Sequence, residues 1–469
     1  GLPSPKARLP VLYRLGDWPA PPAAPSGMLS SSSLSSISFG LPEKVDVLVV
    51  GGGPVGLTLA GQLLHLAQRG RVALVEANEE PCGGSRLPKA QLISALTMET
   101  WSRWDAALPR KIRGMCRLRP ETTMDLVSWD SDKQAPRSTA VGLQALSEGL
   151  SKESHGWVQQ PLYEAALRSH VASAPRECEL TAHYGWNVVD ATETDGEWSV
   201  VLEQTERGGR HYAEGGLDGL ATDDTAAPKA GGRVRQTVLA RVLVGCDGGR
   251  SSVRRRVPGA DLCGQGGLGA SLTVVFRRPG MEALLRRQFA GTPPGVAYCF
   301  KKEGGWPASV WQLDGAAELY FGFVSYPSVS DAPAWLSDGA GAADAAKALE
   351  ALETACDCAE PWGPDAEARD SWFWTPYSLC AGKWTLQRPS AALAGDAAHL
   401  LSPVGGFGMN VGVGDAASLG WRLAAILNGW LAPDAAFSGY EAERREAWAR
   451  CNDYVVSERA RLMSSGSRD

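Results

Sequence analysis

The sequence predicts an α/β chain in which a dinucleotide-binding domain on a parallel sheet is interrupted by a second domain on an antiparallel or mixed β-sheet. Three observations carry this. The stretch from Val45 to Asn78, VDVLVVGGGPVGLTLAGQLLHLAQRGRVALVEAN, reads as strand, glycine turn, helix, strand. Two later stretches, Arg241–Ser251 and Ala391–Leu423, each run from a buried strand into an acid and a glycine turn. Between those two, apolar residues alternate with the period of strands covered on one face.

Taken in order, Val45–Val50 is apolar except for Asp46, as in a parallel strand buried on both faces. Gly51, Gly53 and Gly56 form the G-x-G-x-x-G turn into a helix running to about Gln68. Gly70 ends that helix, and Val72–Val75 is a second buried strand closed by Glu76. The glycines allow a tight turn, close approach of backbone to a pyrophosphate, and close packing of helix on strand. Glu76 stands where an acid holds a ribose hydroxyl, so the unit is a Rossmann-like dinucleotide fold. Trp157–Val171 is an amphipathic helix with Pro161 in its first turn, which puts Gln160 near the N-cap with its amide directed out of the helix end.

Further on, Trp198–Glu203 and Val234–Ala240 read as strands, with the Gly- and Asp-rich Arg207–Gly232 as a surface loop between them. Arg241–Gly245 leads into Cys246-Asp247-Gly248-Gly249-Arg250-Ser251. Alternating runs at Ser271–Phe276, Ala297–Lys301, Ala308–Leu313 and Glu318–Phe323 form the second sheet, and Ala342–Cys356 is an Ala-rich helix. Ala391–Ala394 is a short buried strand that stops at Gly395-Asp396, at a sheet's carboxyl edge. A loop with Pro403, Gly405, Gly406 and Gly408 precedes a helix from about Met409, its positive dipole end free to meet a flat ligand. Tyr440–Tyr454 is a charged amphipathic helix expected on the outside.

Composition narrows the function. At 469 residues the chain exceeds one core. A net charge of −6 gives no reason to expect nucleic acid or an anionic membrane, and no apolar run is long enough to span a bilayer. Ten scattered cysteines and six dispersed histidines form neither a disulfide framework nor a metal site, which indicates a reducing compartment. Residues 1–43 are Pro-, Ala- and Ser-rich and nearly acid-free, a composition of a disordered tail or an organellar transit segment. The expected location is accordingly the cytoplasm, or a mitochondrion or plastid.

Three ordered motifs, GGGPVG (Gly51–Gly56), CDGGRSSVR (Cys246–Arg254) and GDAAHLLSPVGGFGMN (Gly395–Asn410), with weaker echoes at Gln160–Glu164 and in YEAERR from Tyr440, give the chain its family likeness. It resembles the class A flavoprotein monooxygenases of the para-hydroxybenzoate and phenol hydroxylase type. The resemblance implies an FAD-binding domain in three pieces (44–115, 152–259 and 376–435), a substrate domain from 116–151 and 260–375, and a C-terminal helix and tail from 436–469. It implies hydroxylation of a small aromatic, phenolic substrate by NADPH or NADH and O2 through a flavin C4a-hydroperoxide, by a possible homodimer.

By the same resemblance Gly51, Gly53, Pro54, Val55 and Gly56 hold the FAD pyrophosphate, while Glu76 and Ala77 lie at the adenosine ribose. Arg86, Lys89 and Gln160 contact the cofactor, Gly395 and Asp396 bind the ribityl and phosphate region, and Asp247 supports the fold and the reduction step. Pro403 lies against the ring where oxygen reacts, and Gly406, Gly408, Met409 and Asn410 face the flavin, with Pro403, Gly408 and Asn410 as the catalytic set. Two departures stand out: Lys89 and Leu96 occupy positions where arginine is frequent in the family, and lysine lacks the planar fork of arginine. A flavin-dependent halogenase would carry G-W-x-W-x-I-P, which Trp372-Phe373-Trp374-Thr375-Pro376 does not match. A plain dehydrogenase would not explain the two later motifs. A non-catalytic flavin-binding protein would keep all three and differ only in failing to consume NAD(P)H and oxygen together.

Overall fold

The computed structural model of the chain describes residues 40–78, 90–116, 118, 123–130, 135–137, 151–174, 177–205, 234–290, 295–302, 305–315, 317–336, 344–358, 360–388 and 390–464. The N-terminal tail up to 39, the loop around 206–233, and the candidate residues Arg86 and Lys89 lie outside these. The first sheet has the strand order Thr385–Gln387, Ser390–Leu393, Arg235–Gly245, Lys44–Val50, Arg71–Glu76, Glu179–Tyr184, with an antiparallel hairpin of Trp186–Thr194 and Glu197–Gln204 attached to Arg235–Gly245. The four neighbouring pairs from Ser390–Leu393 to Glu179–Tyr184 are parallel. Their apolar runs are buried on both faces, as such strands require.

Register decides what this sheet can do. Leu393 pairs with Gly245, Gly245 with Val50, and Val50 with Val75, so four strands end side by side. Glu76, Gly51, Asp247 and Asp396 follow within three residues of those ends. Three motifs separated by hundreds of residues therefore share one sheet edge. Gly51 makes the turn with φ +106, its N–H donating to the Val75 carbonyl at 2.8 Å. A Cβ on Gly51 would meet the Cys246 carbonyl oxygen at 2.3 Å, and one on Gly56 would meet the Gly51 oxygen at 1.9 Å. Both glycines are thus required by packing of the protein on itself.

The second sheet runs Glu367–Trp374, Ala270–Arg277, Leu319–Tyr326, Gly305–Asp314, Gly295–Lys302, Thr123–Asp130, Ala135–Arg137. It is antiparallel except where Gly295–Lys302 lies parallel to Thr123–Asp130. Leu272, Val274, Tyr298, Phe300, Val310 and Val324 face a core completed by the helices Met281–Gln288 and Ala345–Cys356. Two hydrogen bonds join the sheets' parts: Trp157 Nε1 donates to the Gln312 carbonyl at 2.8 Å, and Gln159 Nε2 to the Leu313 carbonyl at 3.2 Å.

The expected strands at Val234–Ala240 and Arg241–Gly245 are one continuous strand, Arg235–Gly245. The helix expected from Met409 begins two residues earlier and spans Phe407–Asn428. The helix from Tyr440 does not simply lie outside. It spans Tyr440–Ser464, and its first residue is fully buried with Oη donating to the Leu393 carbonyl at 2.9 Å, because two buried charges on Phe407–Asn428 need partners from it.

Candidate cofactor and active site

Two helix N-termini open at the shared sheet edge. Pro54–Leu66 starts from Gly53 and Phe407–Asn428 from Gly406, and neither has a side chain capping its first N–H groups. Such groups carry positive partial charge and seek an acceptor. Around them a Cβ on Gly53 or Gly408 would meet no atom within 4 Å, although residues on either side are packed. Asp396 is exposed between Gly395 and Ala397, both buried. Open glycines, uncapped N–H donors and an outward carboxylate make a cradle for an elongated, partly anionic ligand, and these donors fit a dinucleotide.

The sequence-predicted residues take up unequal roles in this cradle. Val55 wedges between strand end and helix: a Cβ on Gly395 or Gly412 would come within 2.9 or 2.7 Å of its Cγ2. Glu76 is already engaged, its Oε2 accepting the Gly52 N–H at 2.6 Å and its Oε1 the Asn78 N–H at 2.9 Å. Oε1 also accepts the Asn78 side-chain Nδ2 at 2.5 Å, so Oε2 is the oxygen that retains a second lone pair for a ribose hydroxyl. Ala77, half-buried, follows it at the rim. Asp247 is bound into its own turn by the Ser251 hydroxyl at 2.5 Å and the Ser252 and Val253 N–H groups. Burial pushes its carboxyl up from the ordinary range, against the pull of those bonds.

Two expectations are corrected. Gln160 is the first residue of its helix and does not direct its amide out of the helix end; Nε2 donates back to Glu164 Oε1 at 2.7 Å, since a buried carboxylate one turn on is the stronger attraction. Asn410 does not offer its amide to a ligand. Its Nδ2 donates to the Leu92 and Gly406 carbonyls at 3.0 and 2.8 Å, and its Oδ1 accepts the Ser94 N–H and the Thr97 hydroxyl, both at 2.8 Å. All four bonding capacities of the amide are used to brace the loop. Pro403 is exposed at the start of that loop, Gly405 and Gly406 adopt φ +81 and +67, and Met409 packs into a small core with Leu57 and Val413. Leu96 is a solvent-facing residue of the helix Ala95–Ser102.

Beneath the Gly395 turn lies a network that sequence reading missed. Asp415 Oδ2 accepts the Gly395 N–H at 3.0 Å and lies 2.6 Å from His399 Nε2, and Oδ1 accepts Arg444 Nε at 2.8 Å. Burial alone would raise the Asp415 carboxyl; the His399 imidazole and the Arg444 guanidinium outweigh it and hold it below the ordinary range. Arg254, buried at the end of CDGGRSSVR, donates to the Gly249 and Ala397 carbonyls at 2.6 and 3.0 Å and so ties the second motif to the third. A signal existed: Asp415 and Arg422 are the only charges on the otherwise apolar helix Phe407–Asn428, and a buried charge demands a partner. Arg422 finds its own in Glu443, at 2.9 Å.

The comparisons with known proteins agree with this edge. The family described as FAD binding domain matches residues 44–299 and 364–454. The chain belongs to that family. Its curated relatives include the 3-hydroxybenzoate 4-monooxygenase of Comamonas testosteroni, 26% identical over 96% of this chain and 64% of the relative. Another is the 4-methyl-5-nitrocatechol 5-monooxygenase of a Burkholderia species, 30% identical over 90% and 68%. The flavoprotein thus spans about two thirds of the length of these relatives. In fold it is similar to the crystal structure of a ternary complex of aklavinone-11 hydroxylase with FAD and aklavinone, with TM-score 0.70, 22% identity, and 91% of this chain and 70% of that one covered. The class A flavoprotein likeness read from the three motifs therefore holds, as does the α/β architecture. Among the described residues no helix is long and apolar enough to cross a membrane.

Proposed function

We propose that this flavoprotein is a monooxygenase that uses NADH or NADPH and dioxygen to hydroxylate an aromatic substrate. In this reading residues 44–115, 152–259 and 376–435 hold the cofactor, and 116–151 and 260–375 enclose the substrate. Bound FAD supplies the electron transfer and oxygen activation. The chain supplies position and exclusion. Gly51–Gly56 and the N–H groups of Val55 and Gly56 hold the diphosphate, Glu76 the adenosine ribose, and the outward carboxylate of Asp396 the polyol chain. The uncapped N–H groups from Phe407 stabilise negative charge on the ring system without having to reorganise.

The observation that carries the reading is a shared residue. A Cβ on Gly406 would lie 3.2 Å from Leu92, and Leu92, paired in a short strand with Trp157, packs in the same cluster as Phe321, Phe323 and Trp372 of the second sheet's inner face. The helix start that faces the ring and an apolar aromatic surface thus adjoin, and apolar walls keep water from a reactive centre. The test is NAD(P)H oxidation across a panel of phenols, scored for hydroxylated product against hydrogen peroxide. Stimulated oxidation with product supports the proposal; NAD(P)H consumption that no aromatic compound stimulates counts against it.

A further inference from the structure

The second sheet's inner face is an aromatic wall. Its residues follow from the register: Ala297, Trp311, Phe321 and Val275 lie in one row across the strands, and Cys299, Ser309, Phe323, Thr273 and Trp372 in the next. Ser271 and Trp374 form a third. Trp157 stacks on Trp311 at 5.6 Å, Trp311 on Phe321 at 5.9 Å, and Phe323 meets Phe321 edge-on at 5.0 Å and Trp374 at 6.3 Å. Trp157 and Phe321 are buried, whereas Trp311, Phe323, Trp372 and Trp374 are half-exposed. The buried rings hold the others in place.

The wall's chemistry is narrow. Trp311 Nε1 donates to the Ser309 hydroxyl at 2.9 Å and Trp374 Nε1 to the Thr273 hydroxyl at 2.7 Å, so both indoles donate, and both hydroxyls accept, within the sheet. The Trp372 indole N–H has no partner among the described residues. The described side chains of these rows include no cation, and Arg277 in the adjoining row, opposite Leu319, is paired with Glu318 at 3.7 Å. Asp370, at the exposed sheet edge beside Val275, is an acid and would repel a carboxylate. Moving a carboxylate onto such a surface without a partner is costly. From Gly305–Asp314 to Glu367–Trp374 the wall crosses three strand spacings, about 14 Å. One benzene ring covers only a fraction of that length.

We infer that the substrate is a neutral, planar, fused-ring aromatic compound with an oxygen acceptor, lying on Trp311, Phe323 and Trp372 and accepting a hydrogen bond from the Trp372 indole. This rests on the aromatic-hydroxylation reading and sharpens it: small anionic benzoates are poor ligands for this chain, whatever its relatives accept.

Binding is tested without turnover, in the FAD-loaded protein lacking NAD(P)H, by tryptophan fluorescence quenching and by perturbation of flavin absorption. The probes are 1,8-dihydroxyanthraquinone, anthraquinone-2-carboxylate, phenol and 3-hydroxybenzoate, which separate ring number from charge. The neutral three-ring probe should bind at least tenfold more tightly than each of the others. Trp372→Phe, which keeps a ring and removes the donor, should weaken it several-fold, and Trp311→Leu should weaken it more, with FAD affinity unchanged in both. Equal or tighter binding of 3-hydroxybenzoate, or of the anthraquinone carboxylate, overturns the inference. So does binding of the neutral probe that neither substitution alters, which marks adsorption elsewhere. Because no reductant is present, tight binding followed by no NAD(P)H-dependent product defeats the monooxygenase reading and leaves this one standing.

Discussion

The glycines at the two helix starts look alike in sequence and differ, one from another, in what they are for. At Gly51 and Gly56 a side chain would strike the protein's own backbone, at 2.3 and 1.9 Å. At Gly408, one residue into the Phe407–Asn428 helix, a side chain would meet nothing. At Gly51 and Gly56 the fold allows nothing larger, whereas Gly53 between them has open space as Gly408 does. Gly53 and Gly408 leave room that no side chain of the protein enters, as positions facing a ligand do. Glycine content alone is therefore a poor guide to a binding site; the space beside each glycine is a better one.

Substitutions can break that contrast, and the largest effect belongs to the first turn. Gly56→Val should cost about 4 kcal/mol or more, because the obstructing atom is backbone and cannot swing away. Thermal melting of the purified variant measures this, and a shift of only a degree or two would show that the turn relaxes. Asp415→Asn comes next. Removing one charge from the buried group leaves Arg444 without its counter-ion and disturbs the contact to His399 Nε2, at about 3–5 kcal/mol. Since the folded carboxyl is held below its ordinary range, its contribution is present above pH 4 or so and is lost as pH falls through the lowered value. Wild-type unfolding should therefore steepen below about pH 4, and the asparagine variant should show a shallower acid limb; parallel limbs would exclude this group.

Asp396→Ala should act mainly through the cofactor. The apo protein should melt as the wild type does, while FAD added at a hundredfold excess over the wild-type dissociation constant should no longer contribute the full stabilisation of about 2.7 kcal/mol. Paired melting curves with and without FAD decide this, and equal FAD-dependent shifts would mean the exposed carboxylate takes no part in holding the cofactor. A small effect on the fold, and one of opposite sign to Gly56→Val, is expected for Gly408→Ala. Alanine in a helical position with free space should stabilise the apo protein by up to about 1 kcal/mol. The same methyl group should lower product formed per NAD(P)H consumed, at matched flavin occupancy. A destabilised apo variant would erase the contrast between the two kinds of glycine.

What the sequence made legible was local or periodic. Val45–Glu76 could be read almost to the residue because its strand, turn and helix are specified by neighbours along the chain. The second sheet's strands were visible through alternation. Side-chain destinations fixed by distant residues were not. Asn410 is turned by Ser94 and Thr97, more than 300 positions away, and its own neighbours say nothing of that. Gln160 follows Glu164 because Glu164 is buried, and burial is set by packing. Tyr440 and Arg444 sit on a helix of polar composition, and only the two buried charges of the helix Phe407–Asn428 explain why its first turns are drawn inward.

In the proposed function, the strand ends on one sheet edge and the aromatic face beside them form a single oxygen-inserting site. Turnover under isotopically labelled dioxygen, with NAD(P)H and whichever aromatic compound most stimulates its oxidation, tests this most directly. One labelled oxygen atom is expected in each molecule of product, with the other recovered in water. Product carrying oxygen from unlabelled water, or labelled peroxide as the sole fate of dioxygen with every compound tried, would contradict it.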